Sequence, residues 1–287
     1  MLRIAVPNKG TLAGPAADML REAGYRQRTD DRDLICRDSD NNVEFFYLRP
    51  RDIATYVGSG DLELGITGRD LLVDSDNGAE ELLDLCFAPA TFRFAAPRDR
   101  LPAAGQTPVP FDLTGLRIAT AYPGVVRRHL TEQGIRAEVI RLDGAVENAV
   151  RLGVADVIAD VVATGATLRQ AGLEPVGKPI LESSAILVHR AGAPEKPGHA
   201  QLIRRLQGVL VARRYVMLAY DVRVDQLDSA AALTPGIESP TISPLHREGW
   251  VAVQAMVLRA DIHRIMDELY DLGARAILVT DIHACRL

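Results

Sequence analysis

Between Val157 and Leu168 the chain runs Val157-Ile158-Ala159-Asp160-Val161-Val162-Ala163-Thr164-Gly165-Ala166-Thr167-Leu168, an apolar stretch carrying one carboxylate and then a loop of small residues and two threonines. That order suits an anion. Small residues let the backbone approach a phosphate closely, amides at the start of the following helix point at it, and Thr164 and Thr167 add hydroxyl donors. Asp160, just ahead of the loop, is placed to accept hydrogen bonds from sugar hydroxyls. Taken alone, the loop is equally a tight turn capped by Thr164 or Thr167, because short Gly/Thr motifs often arise by chance. A second candidate is Lys9, in the turn Pro7-Asn8-Lys9-Gly10. Of 33 basic residues only Lys9, Lys178 and Lys196 are lysines, so a lysine directly after a strand-like run stands out from the composition.

The elements that must hold these groups follow from periodicity. Leu2 to Val6 reads as a buried strand, and the helical pattern of Leu12, Ala16, Met19, Leu20 and Ala23 closes at Gly24. Strands are expected at Val43 to Leu48 and Leu64 to Thr67, with helices from Asp52 to Val57 and after Gly68. This alternation implies a mostly parallel sheet. A second unit repeats the order. It has strands at Phe92 to Ala96, Arg117 to Thr120, Ala137 to Arg141 and Val157 to Val162, helices at Val125 to Gln133 and Ala145 to Leu152, and a Pro/Gly-rich loop from Pro97 to Pro110. Ala185 to His189 is expected to return the chain to the first lobe, giving two lobes joined by two crossovers with a cleft between them.

Ala191 to His199, with Pro194 and Pro197, reads as a linker. Beyond it the expected order is strand (Val209 to Tyr220), helix (Asp225 to Leu233), strands (Thr241 to Leu245, Trp250 to Val257), helix (Ile262 to Leu272) and strand (Ala276 to Ile282). This βαββαβ unit is ferredoxin-like. The domain reading is therefore residues 1–90 with a return segment 184–206, residues 91–183 carrying the phosphate loop, and residues 207–287.

Composition narrows the function classes. With 287 residues, 47% hydrophobic and 25% charged, the chain has enough apolar mass for two or three globular domains. A net charge of −5 argues against an extended nucleic-acid surface. Cys36, Cys86 and Cys285 are odd in number and widely spaced, which indicates neither a disulfide framework nor a zinc site. The apolar run at the start is too short for a signal peptide and no later one would cross a bilayer, so a cytoplasmic protein with no membrane partner is expected.

The Asp160 to Thr167 stretch resembles the phosphoribosyl-pyrophosphate loop of the ATP phosphoribosyltransferases, and the resemblance extends over essentially the whole chain. It is carried also by Arg3-Ile4-Ala5-Val6-Pro7-Asn8-Lys9-Gly10, Leu64-Gly65-Ile66-Thr67-Gly68-Arg69-Asp70 and Arg117-Ile118-Ala119-Thr120-Ala121-Tyr122-Pro123. Leu142-Asp143-Gly144-Ala145-Val146-Glu147 and the segment Leu233 to Ile242 fit the same family. The Rossmann-like phosphoribosyltransferases share the loop type but usually carry two adjacent acids where this chain has Ala159-Asp160. The resemblance implies the long, histidine-regulated form: a bilobal, periplasmic-binding-protein-like α/β catalytic core followed by a ferredoxin-like, ACT-like regulatory domain.

It further implies roles. Lys9, Glu147 and Asp160 would be catalytic. Asp160 and Glu147 would hold ribose hydroxyls, while Val161, Val162, Ala163, Thr164, Gly165, Ala166, Thr167 and Leu168 would form the loop around the 5′-phosphate. Lys9, Gly10, Arg49, Gly68, Arg69 and Asp70 would face them across the cleft at the pyrophosphate or the ATP triphosphate, and Tyr122 would line the pocket. Histidine, as inhibitor, would bind between subunits at Asp221, Ile237, Thr241 and Ala276, in a homo-oligomer for which the resemblance implies dimer and hexamer. Mg²⁺ would accompany the phosphates, with protein ligands that the sequence leaves unknown. Two other readings stand beside this one: a bilobal solute-binding protein, which has no need of the loop and Lys9 together, and a phosphoribosyltransferase for another base.

Overall fold

The computed structural model describes residues 1–100, 111–162 and 165–286. They fall into two compact units, one of Met1–Asp18 with Arg26–His199, the other of Met19–Tyr25 with Ala200–Leu287.

The first unit opens with β1 (Leu2–Pro7), α1 (Ala13–Glu22), β2 (Ile35–Asp38), β3 (Val43–Leu48), α2 (Pro50–Ser59), β4 (Leu64–Gly68), α3 (Arg69–Ser75) and β5 (Ala79–Asp84). β1 is buried almost without a break, as a strand covered on both faces must be, and pairs in parallel with β3 and β4. α2 starts with Pro50, whose fixed φ suits a first turn, and stops where Gly60 takes φ 87°. Its buried Ile53 and Val57 pack over Gly65, where any Cβ would strike the Ile53 side chain.

The chain then crosses to a second lobe: β6 (Ala90–Pro97), β7 (Arg117–Thr120), α4 (Pro123–Gln133), β8 (Glu138–Arg141), α5 (Asn148–Arg151), β9 (Val157–Val162), α6 (Ala166–Gln170) and β10 (Leu173–Ser183). Its sheet runs β10-β6-β9-β7-β8, with Phe92, Phe94, Ile118 and Val126 buried on one face and Ala95, Ala119, Ile158 and Leu168 on the other. β11 (Ala185–Arg190) returns to the first lobe and inserts between β4 and β5, completing the order β2-β3-β1-β4-β11-β5. The two expected crossovers are thus present.

Three expectations need correction. The first-lobe sheet is mixed: only β3, β1 and β4 run parallel to one another, because β2 folds back on β3 and the returning β11 meets β4 and β5 antiparallel. The helix expected from Ala145 is only Asn148–Arg151, since Ala145 sits at φ 47°, a left-handed conformation that ends helical propagation. Val209 to Arg214, read as strand, is the last part of α7 (His199–Arg214); the buried residues Leu202, Leu206, Val209 and Ala212 recur at helical spacing.

After α7 come β12 (Tyr215–Arg223), α8 (Leu227–Leu233), β13 (Thr241–Pro244), β14 (Trp250–Leu258), α9 (Ile262–Asp271) and β15 (Arg275–Asp281). The antiparallel sheet order β13-β14-β12-β15 is the ferredoxin-like arrangement. Val216, Leu218, Tyr220 and Val222 alternate into its core, and the Tyr220 hydroxyl is satisfied by Thr234 Oγ1 at 2.8 Å. Among the described residues no helix is long and apolar enough to cross a membrane.

Candidate active site

The parallel strands of both lobes end on one cavity of about 660 Å³. Carboxyl ends of parallel strands, where loops turn into helices, are the usual ligand edge of α/β sheets. β1 delivers Lys9 and Gly10, β3 delivers Arg49 and Arg51, and β4 delivers Gly68 and Asp70; from the second lobe β7 supplies Tyr122, β8 supplies Arg141 and Asp143, and β9 supplies Val161. Seven of the residues singled out in the sequence, Lys9, Gly10, Arg49, Gly68, Asp70, Tyr122 and Val161, meet here. At the root of the Lys9 loop the Asn8 side-chain oxygen is buried with no hydrogen-bond partner.

A smaller cavity of about 210 Å³ is lined by Glu147, Asp160, Val161, Val162, Gly165, Thr167 and Leu168, with Val161 shared between the two. Gly165 takes φ 69° directly before α6, a conformation that glycine adopts without penalty. Ala166 heads that helix, and Ala163 and Thr164 lie outside the described residues. The Asp160 carboxylate accepts the Val161 amide at 2.7 Å. Burial raises its pKa, and Glu147 and Asp70 act in the same direction, while the Val161 amide and Arg51 oppose them. Carboxylates crowded in this way gain from a cation among them.

Other positions are held by protein partners. Asp70, only 8% exposed, exchanges two hydrogen bonds with Ser183. Tyr122 lies edge-on to Phe92 with ring centroids 5.4 Å apart, and burial lifts its phenol far above the usual range. Arg69 lines neither cavity. Its guanidinium binds Glu81 at 2.8 Å and Asp84 at 2.9 Å and donates to the Glu182 carbonyl, which places it in the framework of the lobe.

Polar cavity residues to which the sequence assigned no role include Arg51, Arg141, Asp143 and Ser183. Arg51 was visible in principle, two residues after Arg49 in the first turn of a helix. Ser183 was not, since nothing in the sequence marks the last residue of a strand as facing Asp70.

In the C-terminal unit Asp221 is inside β12, which runs past the expected strand end at Tyr220, and pairs across to Ala252 and Arg275. Ala276, at φ 51°, follows on the neighbouring β15. Thr241 begins β13, and Ile237 lies in the connection before it. β13 and β15 are the two outer strands, roughly 14 Å apart at about 4.8 Å per strand, so one copy holds these positions as two separate halves.

Comparison with known proteins identifies the chain. Residues 49–208 match the family described as HisG, ATP phosphoribosyltransferase, and residues 212–284 match the HisG C-terminal domain. The ATP phosphoribosyltransferase of Salinispora tropica is 70% identical over all 287 residues and over its own full length; that of Streptomyces avermitilis is 60% identical, again with both chains covered completely. Among solved structures, the ATP phosphoribosyl transferase (HisG:HisZ) complex from Thermotoga maritima aligns with a TM-score of 0.61 at 25% identity, covering 73% of this chain and 98% of that one. The chain belongs to the ATP phosphoribosyltransferase family, the glycosyltransferases that join ATP to phosphoribosyl pyrophosphate in the first step of histidine biosynthesis.

Proposed function

We propose that the smaller cavity takes the ribose 5-phosphate end of phosphoribosyl pyrophosphate and that the larger one takes the pyrophosphate and ATP. The observation that carries this reading is the shared Val161: the pocket of Glu147 and Asp160 adjoins the larger cavity, whose wall brings in Lys9, Arg49, Arg51 and Arg141. The transfer forms a bond from adenine N1 to ribose C1 and breaks the bond from C1 to the pyrophosphate oxygen. Positive charge grows on the sugar ring and negative charge on the leaving group. Asp160 and Glu147 accept hydrogen bonds from the ribose hydroxyls and offset the first charge, while Lys9 and Arg49 offset the second. Gly165, Ala166 and Thr167, with Ala163 and Thr164, hold the 5′-phosphate at the helix start. Holding two polyanions in line supplies much of the rate, since no covalent intermediate is needed.

Mg²⁺ suits this site. Among the described residues no group of three or more His, Cys, Asp or Glu side chains forms a ready metal cage. A cation bound mostly by substrate phosphates and water needs no such cage. Asp160 and Glu147, which both line the smaller cavity, are the carboxylates that would hold it there. When bound, Mg²⁺ supplies neutralising charge at the pyrophosphate.

The C-terminal unit is read as the regulatory module of a homo-oligomer, with histidine bound at Asp221 and Ala276 of one copy and Ile237 and Thr241 of another. The test of the catalytic reading is pyrophosphate release from phosphoribosyl pyrophosphate with ATP as acceptor, run against free purine and pyrimidine bases. Release with ATP alone supports the assignment. Release with a free base in preference to ATP, or binding without turnover, overturns it.

A further inference from the structure

One carboxylate is shared between the two lobes of the first unit. Asp74, in α3 of the first lobe, accepts Arg51 Nη1 on Oδ2 at 2.7 Å and the Gly124 amide of α4, in the second lobe, on Oδ1 at 2.7 Å. The Asp74 side chain is 9% exposed, so both bonds are largely removed from solvent competition. Gly124 permits this approach, because a Cβ there would collide with the Asp74 carbonyl oxygen. The same Arg51 guanidinium stacks on the Tyr122 ring of the second lobe, 4.7 Å from its centroid. Arg51 thus touches both lobes, through an ion pair on one side and a cation–π contact on the other.

We propose that Arg51 is a positioning residue for the transfer: with Asp74 it forms a clasp that sets how the first-lobe and second-lobe halves of the cleft face each other. It bonds protein groups on both sides of the cavity, unlike Arg49, which has a place on the wall and no such partner bond among those described. In-line displacement requires the sugar and the adenine to be aligned within a fraction of an ångström. A clasp that fixes the angle between their binding surfaces therefore acts on turnover more than on the affinity for either substrate. Arginine is needed because a lysine at this position reaches Asp74 yet lacks the planar face that stacks on Tyr122.

The inference rests on the cleft being the transfer site, so the experiment starts with wild-type turnover. Arg51→Gln, Arg51→Lys, Asp74→Asn and the Arg51→Gln/Asp74→Asn double variant of the full chain are assayed for kcat and for both KM values, and hydrogen exchange is followed over residues 122–130. Arg51→Gln and Asp74→Asn are each expected to lower kcat about tenfold with both KM values within about threefold of wild type, and the double variant to be no worse than the poorer single one. Exchange at the start of α4 should quicken in both, and Arg51→Lys should recover kcat in part. Wild-type kcat in Arg51→Gln overturns the clasp. So does a large rise in one KM with Asp74→Asn silent, which would make Arg51 an ordinary substrate-binding cation. Absence of turnover in the wild type would instead fault the reading of the cleft, leaving the exchange data to judge the clasp.

Discussion

The Ser183 hydroxyl donates to Asp70 Oδ1 at 2.6 Å, while the Asp70 amide donates back to Ser183 Oγ at 3.1 Å. Two residues far apart in sequence thereby fix one carboxylate at the edge of the substrate cavity, where the chain returns from the second lobe to the first. Ser183→Ala removes the hydroxyl and with it one of the groups that orient Asp70. A buried hydrogen bond of this kind contributes about 1 kcal/mol, so kcat/KM should fall by roughly three- to tenfold. Ser183→Thr, which keeps the hydroxyl, should retain most of the activity. Equal kinetics for Ser183→Ala and wild type would mean that Asp70 is oriented by something else.

The phosphoribosyl pocket gives a sharper expectation. Asp160→Asn and Thr164→Val should each reduce kcat/KM at least about tenfold, about 1.4 kcal/mol of transition-state stabilisation, with the thermal transition little changed. Asp160 faces a cavity and not a hydrophobic core, and its raised pKa reflects burial first and then the neighbouring acids. Steady-state kinetics and circular dichroism on the two variants decide the matter; near-normal turnover in both removes the phosphate-loop assignment.

Lys9 lines the larger, adjoining cavity from the first lobe. Lys9→Ala should weaken catalysis strongly and Lys9→Arg restore it only in part, because the planar guanidinium cannot place its charge where the compact ammonium sits. Arg69→Ala should behave in the opposite way. Its bonds to Glu81, Asp84 and the Glu182 carbonyl are framework contacts, so its loss should lower the melting temperature more than it changes either KM. A pronounced KM effect in Arg69→Ala with unchanged stability would return Arg69 to the substrate.

How much was legible beforehand depends on the distance over which the information lies. Strands such as Val43–Leu48, Arg117–Thr120 and Val157–Val162 carry their own apolar pattern, and each was readable to the residue. β2 and β5 were not: Ile35–Asp38 and Ala79–Asp84 are half polar and little buried, and they form because a partner strand stands ready for them. The site shows the same division. Asp160 lies within a buried strand and Lys9 just after one, positions that local pattern marks, whereas the contacts of Arg51 exist only through Asp74 and Tyr122, both remote in sequence. Arg69 looked like a ligand for the converse reason, since its acid partners on β5 were invisible from its own motif.

Acid stability offers a separate check on the first lobe. Glu63 accepts the Arg3 amide at 2.7 Å, the Arg3 guanidinium at 2.9 Å and Lys196 Nζ at 2.6 Å. Burial alone would raise its pKa, but these hydrogen bonds hold it down to about 2 from an ordinary value of 4.5. A carboxylate depressed in the folded state stabilises above its unfolded pKa, and that contribution is lost as the pH falls from about 4.5 towards 2. Glu63→Gln should therefore melt lower than wild type at pH 7, with the two curves converging as the pH drops through that window. A gap that stays constant from pH 7 to pH 3 would show that the charge of Glu63 is not the source of the stabilisation.

Histidine control is best tested in the intact chain. A cut near Arg205 would divide α7, and the second unit also contains Met19–Tyr25 from the far end of α1, so removing residues after the linker strips α1 of the segment it groups with. A point variant avoids this. Asp221 lies on β12 in a run where Val216, Leu218, Tyr220 and Val222 face the core, which leaves Asp221 on the opposite, uncovered face. Its carboxylate can there meet an α-amino or imidazolium group without being buried in apolar surroundings. Asp221→Ala should weaken histidine inhibition at least about tenfold, within the ~1 to 3 kcal/mol typical of coupling between sites, while both substrate KM values stay within about twofold. The measurement is a histidine titration at fixed substrate for wild type and variant. Unchanged inhibition with normal kinetics would place the effector elsewhere. A parallel rise in substrate KM would mean that histidine competes in the cleft and the C-terminal sheet is not its site.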